Sequence, residues 1–155
     1  MDELRELYQE VILDHGKRPR NLRALADATC QAHGRNPLCG DQLTVYLKVG
    51  HNGLVEDASF VGKGCAISVA SASLMTEIIR GKTEAEARLL FERFHEMATG
   101  KNVDVGAIPP ELEDDLDRLQ VLSGVRQYPV RVKCATLAWH TMTAALSGAQ
   151  EVSTE

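Results

Sequence analysis

Aromatic side chains are scarce in this sequence, at 5% of 155 residues with a single Trp. Surfaces on which nucleobases stack need more of them. Positive charge is also in deficit: 17 Lys and Arg stand against 22 Asp and Glu, a formal net charge of −5. A general nucleic-acid binder carries a basic face, so that class is excluded. No run of about 18 apolar residues occurs, which excludes a membrane-spanning helix. The opening Met1–Glu6 is acidic and amphipathic and lacks the apolar stretch of a secretory signal. The expected address is the cytoplasm. Repeats and low-complexity tracts are absent. Partners are therefore expected among proteins, metals and small groups.

Several short motifs are missing too. Gly62-Lys63-Gly64 is too short for a phosphate-binding loop of the G-x-x-x-x-G-K-[ST] kind. Pro37-Leu38-Cys39 supplies neither the His-x-Glu nor the Pro-Cys-x-x-Cys of a nucleobase deaminase. Without a Cys-x-x-Cys, thioredoxin-like redox chemistry is excluded. What is present is ordinary for a globular chain, 44% hydrophobic and 25% charged residues. The expectation is one domain over residues 1–148, followed by a frayed tail over 149–155.

The pattern along the chain predicts an α+β fold. Leu4, Leu7, Tyr8, Val11 and Ile12 mark a helix that stops near Gly16. Leu43 to Val49 alternates as a half-buried strand and pairs with Leu54 to Val61 across Gly50-His51-Asn52-Gly53. Ala28 to His33 is a candidate third strand. A helix then runs from Cys65 to about Arg80, rich in small residues. Thr83-Glu84-Ala85-Glu86 is a capping box that opens the next, which ends by Gly100. Lys101 to Pro110 reads as a loop, and the acidic stretch after Pro109-Pro110 as a short helix. Tyr128-Pro129 interrupts, and the last helix spans about Val132 to Leu146. The prediction is a small antiparallel three-stranded sheet packed against five or six helices.

Four cysteines carry the chemistry: Cys30, Cys39, Cys65 and Cys134. A cytoplasmic chain of this size has no need of disulfides, so metal binding or thiol chemistry is the better reading. Cys39 and Asp41 are separated by one glycine and can turn toward one ion. Cys65 leads from a strand into a helix, and Cys134 is expected at the start of the last one. Three thiolates and a carboxylate suit zinc, or iron with sulfide. Cysteines also serve as small buried hydrophobes. Position alone leaves both readings open. Cys30 falls outside these segments: with His33 it makes one Cys-x-x-His pair and no second, so it is expected to be a strand cysteine. His51, His95 and His140 lie in a turn and on helices without partners at ligand spacing.

Three segments change the balance. Asn36-Pro37-Leu38-Cys39-Gly40-Asp41, Gly62-Lys63-Gly64-Cys65-Ala66-Ile67-Ser68 and Arg131-Val132-Lys133-Cys134-Ala135-Thr136-Leu137-Ala138-Trp139 resemble the NifU/IscU-type iron–sulfur cluster assembly family. The opening Tyr8-Gln9-Glu10-Val11-Ile12-Leu13-Asp14-His15 and Pro19-Arg20-Asn21-Leu22 are similar to the same family, so the resemblance spans about residues 4 to 147. Two features resemble its SufU branch: Lys133 stands where the shorter scaffolds carry a histidine, and the stretch from Gly100 to Leu119 looks like a SufU insertion.

The resemblance implies a SufE/NifU-like fold with the metal at one end, and metal ligands Cys39, Asp41, Cys65 and Cys134. It implies Zn²⁺ as the occupant and sulfur acceptance from a SufS-type cysteine desulfurase, ahead of downstream iron–sulfur machinery. The alternatives are a scaffold on which Cys39, Cys65 and Cys134 hold a [2Fe–2S] cluster, and a purely structural zinc module. Cys39, on a glycine-flanked loop, is the expected acceptor and Cys134 the next choice. Such a protein is sulfurtransferase-like or a non-enzymatic scaffold. Lys133 is expected to offset the −2 charge left when Zn²⁺ meets three thiolates and a carboxylate.

Overall fold

A computed structural model describes residues 2–101 and 108–154; for residues 2–5 and 7 the backbone alone is described. In chain order the elements are α1 (Asp2–Lys17), β1 (Cys30–Asn36), β2 (Asp41–Val49), β3 (Val55–Lys63), α2 (Ala66–Ile79) and α3 (Glu84–Thr99). A 3₁₀ turn (Pro110–Leu112), α4 (Glu113–Leu119), a 3₁₀ segment (Gln120–Gln127), α5 (Pro129–Leu146) and β4 (Glu151–Ser153) complete them. The α+β expectation holds. No helix among the described residues is long and apolar enough to cross a membrane.

The sheet has four strands in the order β3-β2-β1-β4, with antiparallel pairing except for the parallel pair β1 and β4. This corrects both the three-stranded antiparallel sheet and the frayed tail. His33, Gly34 and Arg35 pair with Glu151, Val152 and Ser153. Three residues are too short for a period-2 pattern, so nothing in Glu151-Val152-Ser153 announces a strand. Backbone pairing to the otherwise open edge of β1 creates it.

Alternation along β2 explains the layers. Asp41, Leu43, Val45 and Leu47 are buried, while Gln42 is exposed and Thr44 and Tyr46 are half-buried. The buried face meets α5, which also packs on β1, α2 and α3. Leu74, Met75 and Ile78 of α2 and Leu137, Trp139 and Met142 of α5 fill the core with Phe60 of β3. Each such side chain contributes about 1.5–3 kcal/mol by leaving water. Small residues let the layers close: Ser68, Ala70, Ser71, Ala72 and Ser73 of α2 are all buried, and Ser71 Oγ donates to the Ala135 carbonyl. A side chain at Gly34 of β1 would overlap Thr141 Oγ1 of α5, so only glycine permits this approach.

The capping box forms as expected, with Thr83 Oγ1 accepting from the Glu86 amide and the Glu86 carboxylate accepting from the Thr83 amide. Gly100 closes α3 at φ 85°. Two boundaries differ. The last helix starts at Pro129 instead of Val132, because proline fits the first helical position, where its missing N–H costs nothing. Cys134 thus lies in the second turn. The segment Gln120–Gln127 is a 3₁₀ helix that no periodicity marked. Of the expected loop Lys101 to Pro110, residues 102–107 lie outside those described.

Candidate metal centre

Register brings the donors together. Asn36 and Asp41 face each other at the end of the β1–β2 hairpin, and residues 37–40 between them carry Cys39. Gly40, at φ 70°, turns that loop. Period-2 alternation puts Asp41 on the same face as Leu43, toward the helices. There Cys134 approaches from α5, fully buried, with its Sγ 3.3 Å from Cys39 Sγ. Ligand atoms of Cys39, Asp41 and Cys134 all lie within 4.8 Å of one another, a group able to hold a metal ion.

Cys65 stands beside this group as the N-cap of α2. Its amide donates to Asp41 Oδ1 at 2.9 Å. Gly64 makes that contact possible: a Cβ there would come 2.6 Å from Asp41 Oδ1. Asp41 Oδ2 accepts from Asn36 Nδ2 at 3.2 Å, and the same amide group lies 3.5 Å from Cys134 Sγ. Asp41 is therefore a buried carboxylate held by two N–H donors, with no Lys, Arg or His in ion-pair contact among the described residues. A buried charge without a cation is costly. Burial pushes the Cys134 thiol well up, and hydrogen bonding with Cys39 and Asp41 and the charge of Cys65 push it the same way. Two thiols and a carboxylate converge there, and with the thiol of Cys65 beside them they match the donor set of a tetrahedral zinc, although Cys65 is not part of the converged group.

Other expectations sort by position. Cys30 lies at the far end of β1, six residues from Asn36 and so about 20 Å away at ~3.3 Å per residue. Burial raises its thiol pKa. His33 Nδ1 pairs with Thr44 Oγ1 across the strands, at 3.0 Å. Lys133, expected to offset the charge of the site, lines a cavity with His95 and His140. The cation beside the thiols is Arg131, two residues earlier. The charge of Cys65 and a hydrogen bond to Cys134 hold its guanidinium pKa above the ordinary value. Arg131 stands in the quoted segment around Cys134, but only helical phase says that it and not Lys133 shares the cysteine's side.

Residues 7–135 match the family described as the NifU-like N terminal domain. The chain belongs to that family. A protein of Thermotoga maritima named iron-sulfur cluster assembly scaffold protein IscU is 43% identical over 140 residues, 90% of this chain and 92% of that one. The zinc-dependent sulfurtransferase SufU of Bacillus subtilis is 41% identical over 136 residues, 88% of this chain and 86% of its own. A solved structure from Fervidobacterium islandicum, titled a putative iron-sulfur cluster assembly scaffold protein for the SUF system, superposes with a TM-score of 0.79. It is 35% identical, covering 88% of this chain and 94% of that one. This NifU-like chain thus has iron–sulfur cluster assembly proteins as its named relatives. Its cysteine and carboxylate corner sits where the matched segments converge.

Proposed function

We propose that this NifU-like chain is a zinc-binding sulfur acceptor of the SufU branch, taking persulfide sulfur from a SufS-type cysteine desulfurase for iron–sulfur cluster assembly. Cys39, Asp41, Cys65 and Cys134 would hold the metal, with Arg131 offsetting residual negative charge. Bound zinc would keep the thiols deprotonated and shield them from oxidation until a partner docks.

The observation that carries the reading is the contrast between Cys39 and Cys134. Cys39 is partly exposed on a loop of four residues, whereas Cys134 is sealed in the second turn of α5. One donor can leave the site while the others stay. Leu38, next to Cys39 and 63% exposed, and Tyr128, at the start of α5 and 62% exposed, offer apolar surface for a docking protein. In the transfer, the Cys39 thiolate attacks the outer sulfur of the desulfurase persulfide. The partner's S–S bond breaks, its cysteine leaves as a thiolate, and Cys39 carries the new persulfide with the proton of the transferred sulfur. The B. subtilis relative's name, a zinc-dependent sulfurtransferase, supports this chemistry.

A second reading rests on the T. maritima relative, named as a scaffold. There Cys39, Cys65 and Cys134 would ligate a [2Fe–2S] cluster. A purely structural zinc module is disfavoured by the accessible loop cysteine. The test is alanine and sulfide release by a SufS-type desulfurase, with and without this protein under reducing conditions. The protein should accelerate turnover and contain about one zinc per chain, as a closed four-ligand site requires. Asp41→Ala should bind zinc more weakly and accelerate less, and Cys39→Ala should not accelerate at all. Full acceleration by Cys39→Ala would move the acceptor role to Cys134. No acceleration together with a transferable cluster would establish the scaffold.

A further inference from the structure

A second constellation lies on the side of α5 turned away from the thiols. Pro129, Val132, Lys133, Thr136 and His140 share that face, since at about 3.6 residues per turn they fall in one stripe roughly 100–160° around the helix from Cys134. With His95 and Thr99 of α3, Arg126 of the 3₁₀ segment, and Ser153 and Thr154 at β4, they line a cavity of about 480 Å³. That volume lies within the range of small-molecule sites.

The lining is one-sided in charge. Among the described residues it contains Arg126, Lys133 and two imidazoles and no carboxylate, in a chain whose acidic residues outnumber its basic ones by 22 to 17. Neither Arg126 nor Lys133 forms an ion pair among the described residues, whereas Arg93 on the same helix as His95 is paired with Glu96. Arg126 spends only its Nε, donating to the Ser123 carbonyl at 3.0 Å. Thr154 Oγ1 is buried and without a hydrogen-bond partner. Phe91 packs edge-on against both His95 and His140, and the two imidazole centroids are 5.7 Å apart. The rings are thereby fixed in place instead of swinging into solvent. Two imidazoles without a thiol or carboxylate donor among the described residues make an incomplete metal site. Convergent cations with free N–H groups and a hydroxyl make an oxyanion site. The positive end of α5, represented here by Pro129 and Val132, adds to the same field.

We propose that this cavity binds a small organic anion through a phosphate or carboxylate head, gripped by Arg126 and Lys133 and hydrogen-bonded by His95, His140 and Thr154. The cavity is too large for the head alone, so the ligand has a body that rests on Pro129, Val132 and the imidazole rings. The site shares no side chain with the cysteine corner, and the inference stands whether or not the sulfur-acceptor reading does.

The metal-loaded protein is titrated with inorganic phosphate, 3-phosphoglycerate and glutarate, followed by the imidazole resonances of its five histidines. At least one probe should saturate and shift His95 and His140 while His15 and His51 stay still. Arg126→Gln should weaken that binding by about tenfold or more, the scale of one charge-assisted hydrogen bond, with metal content unchanged as the check on folding. Lys133→Gln should weaken it similarly. Response to phosphate and 3-phosphoglycerate alone assigns a phosphate head, response to glutarate alone a carboxylate. Unsaturated, uniform drift with all three probes, or saturation that Arg126→Gln leaves intact, would overturn the site.

Discussion

His15 shows how one side chain ties α1 to α2. It is 6% exposed at the end of α1, and its Nδ1 lies 2.7 Å from Ser73 Oγ of α2. Ser73 Oγ accepts in turn from the Arg20 amide at 2.8 Å, so its hydroxyl proton is free to point at the imidazole. A neutral ring can accept that proton at Nδ1. Burial lowers the His15 pKa, and the positive charge of Arg20 lowers it further. A histidine depressed in the folded state contributes stability that is full above its unfolded value of about 6.5. The contribution is lost as pH falls through the folded value. His15→Gln should therefore flatten the decline of unfolding free energy between pH 7.5 and 5, while lowering stability at pH 7.5. Urea titrations of both metal-free proteins check this, with metal removed so that its own proton competition does not intrude. Equal slopes in the two proteins would refute the assignment.

At the scale of elements, each proposed donor arrives on a different piece of structure: Cys39 on the hairpin loop, Asp41 on β2, Cys65 at the start of α2 and Cys134 on α5. The sheet edge matters as much as the helices. β1, which ends at Asn36 beside Asp41, is covered by β4 on its outer side, with the His33 amide donating to the Gln150 carbonyl at 2.8 Å and the Thr154 amide to the Arg35 carbonyl at 3.1 Å. Deleting residues 150–155 removes that ladder and leaves β1 as an open edge. Several partly exposed hydrogen bonds at about 0.5–1.5 kcal/mol each put the cost near 1–3 kcal/mol. The truncated protein should unfold at lower denaturant and self-associate at higher concentration, as followed by chemical denaturation and size-exclusion chromatography. Unchanged midpoint and a monomeric profile would mean that β4 adds nothing to the sheet.

Across the whole molecule, the hydrophobic core and the proposed metal corner are expected to be separate sources of stability. Phe60, Leu74, Phe94 and Trp139 are buried without reference to the thiols, so the metal-free chain should remain folded. Zinc bound at the proposed site, at a thousandfold excess over its Kd, should add about 4 kcal/mol. For a domain of this size that raises Tm by roughly 8–16 °C. Cys30→Ser should keep this increment and Cys65→Ser should lose most of it, because Cys30 stands at the far end of β1. Calorimetry with and without chelator measures both. Equal loss in the two variants would overturn the ligand set, and loss of cooperative unfolding on chelation would show that the core does not stand alone.

Periodicity in the chain was enough for the helices, the central hairpin and the capping box, since those follow from local spacing and backbone chemistry. The motifs around Cys39, Cys65 and Cys134 were enough for the family, since they are contiguous segments. Tertiary structure alone decided the rest. β4 exists because an edge needed a partner, not because Glu151-Val152-Ser153 favours a strand. The start of α5 at Pro129 sets which side of the helix each residue occupies, sending Arg131 toward the thiols and Lys133 toward the histidines. Asn36, which no motif argument marked out as more than a neighbour, holds Asp41 and reaches Cys134 only because strand register sets it there. Residue types and spacing announce which groups can do chemistry, but distance in space is set by register and helical phase, which neighbouring elements impose.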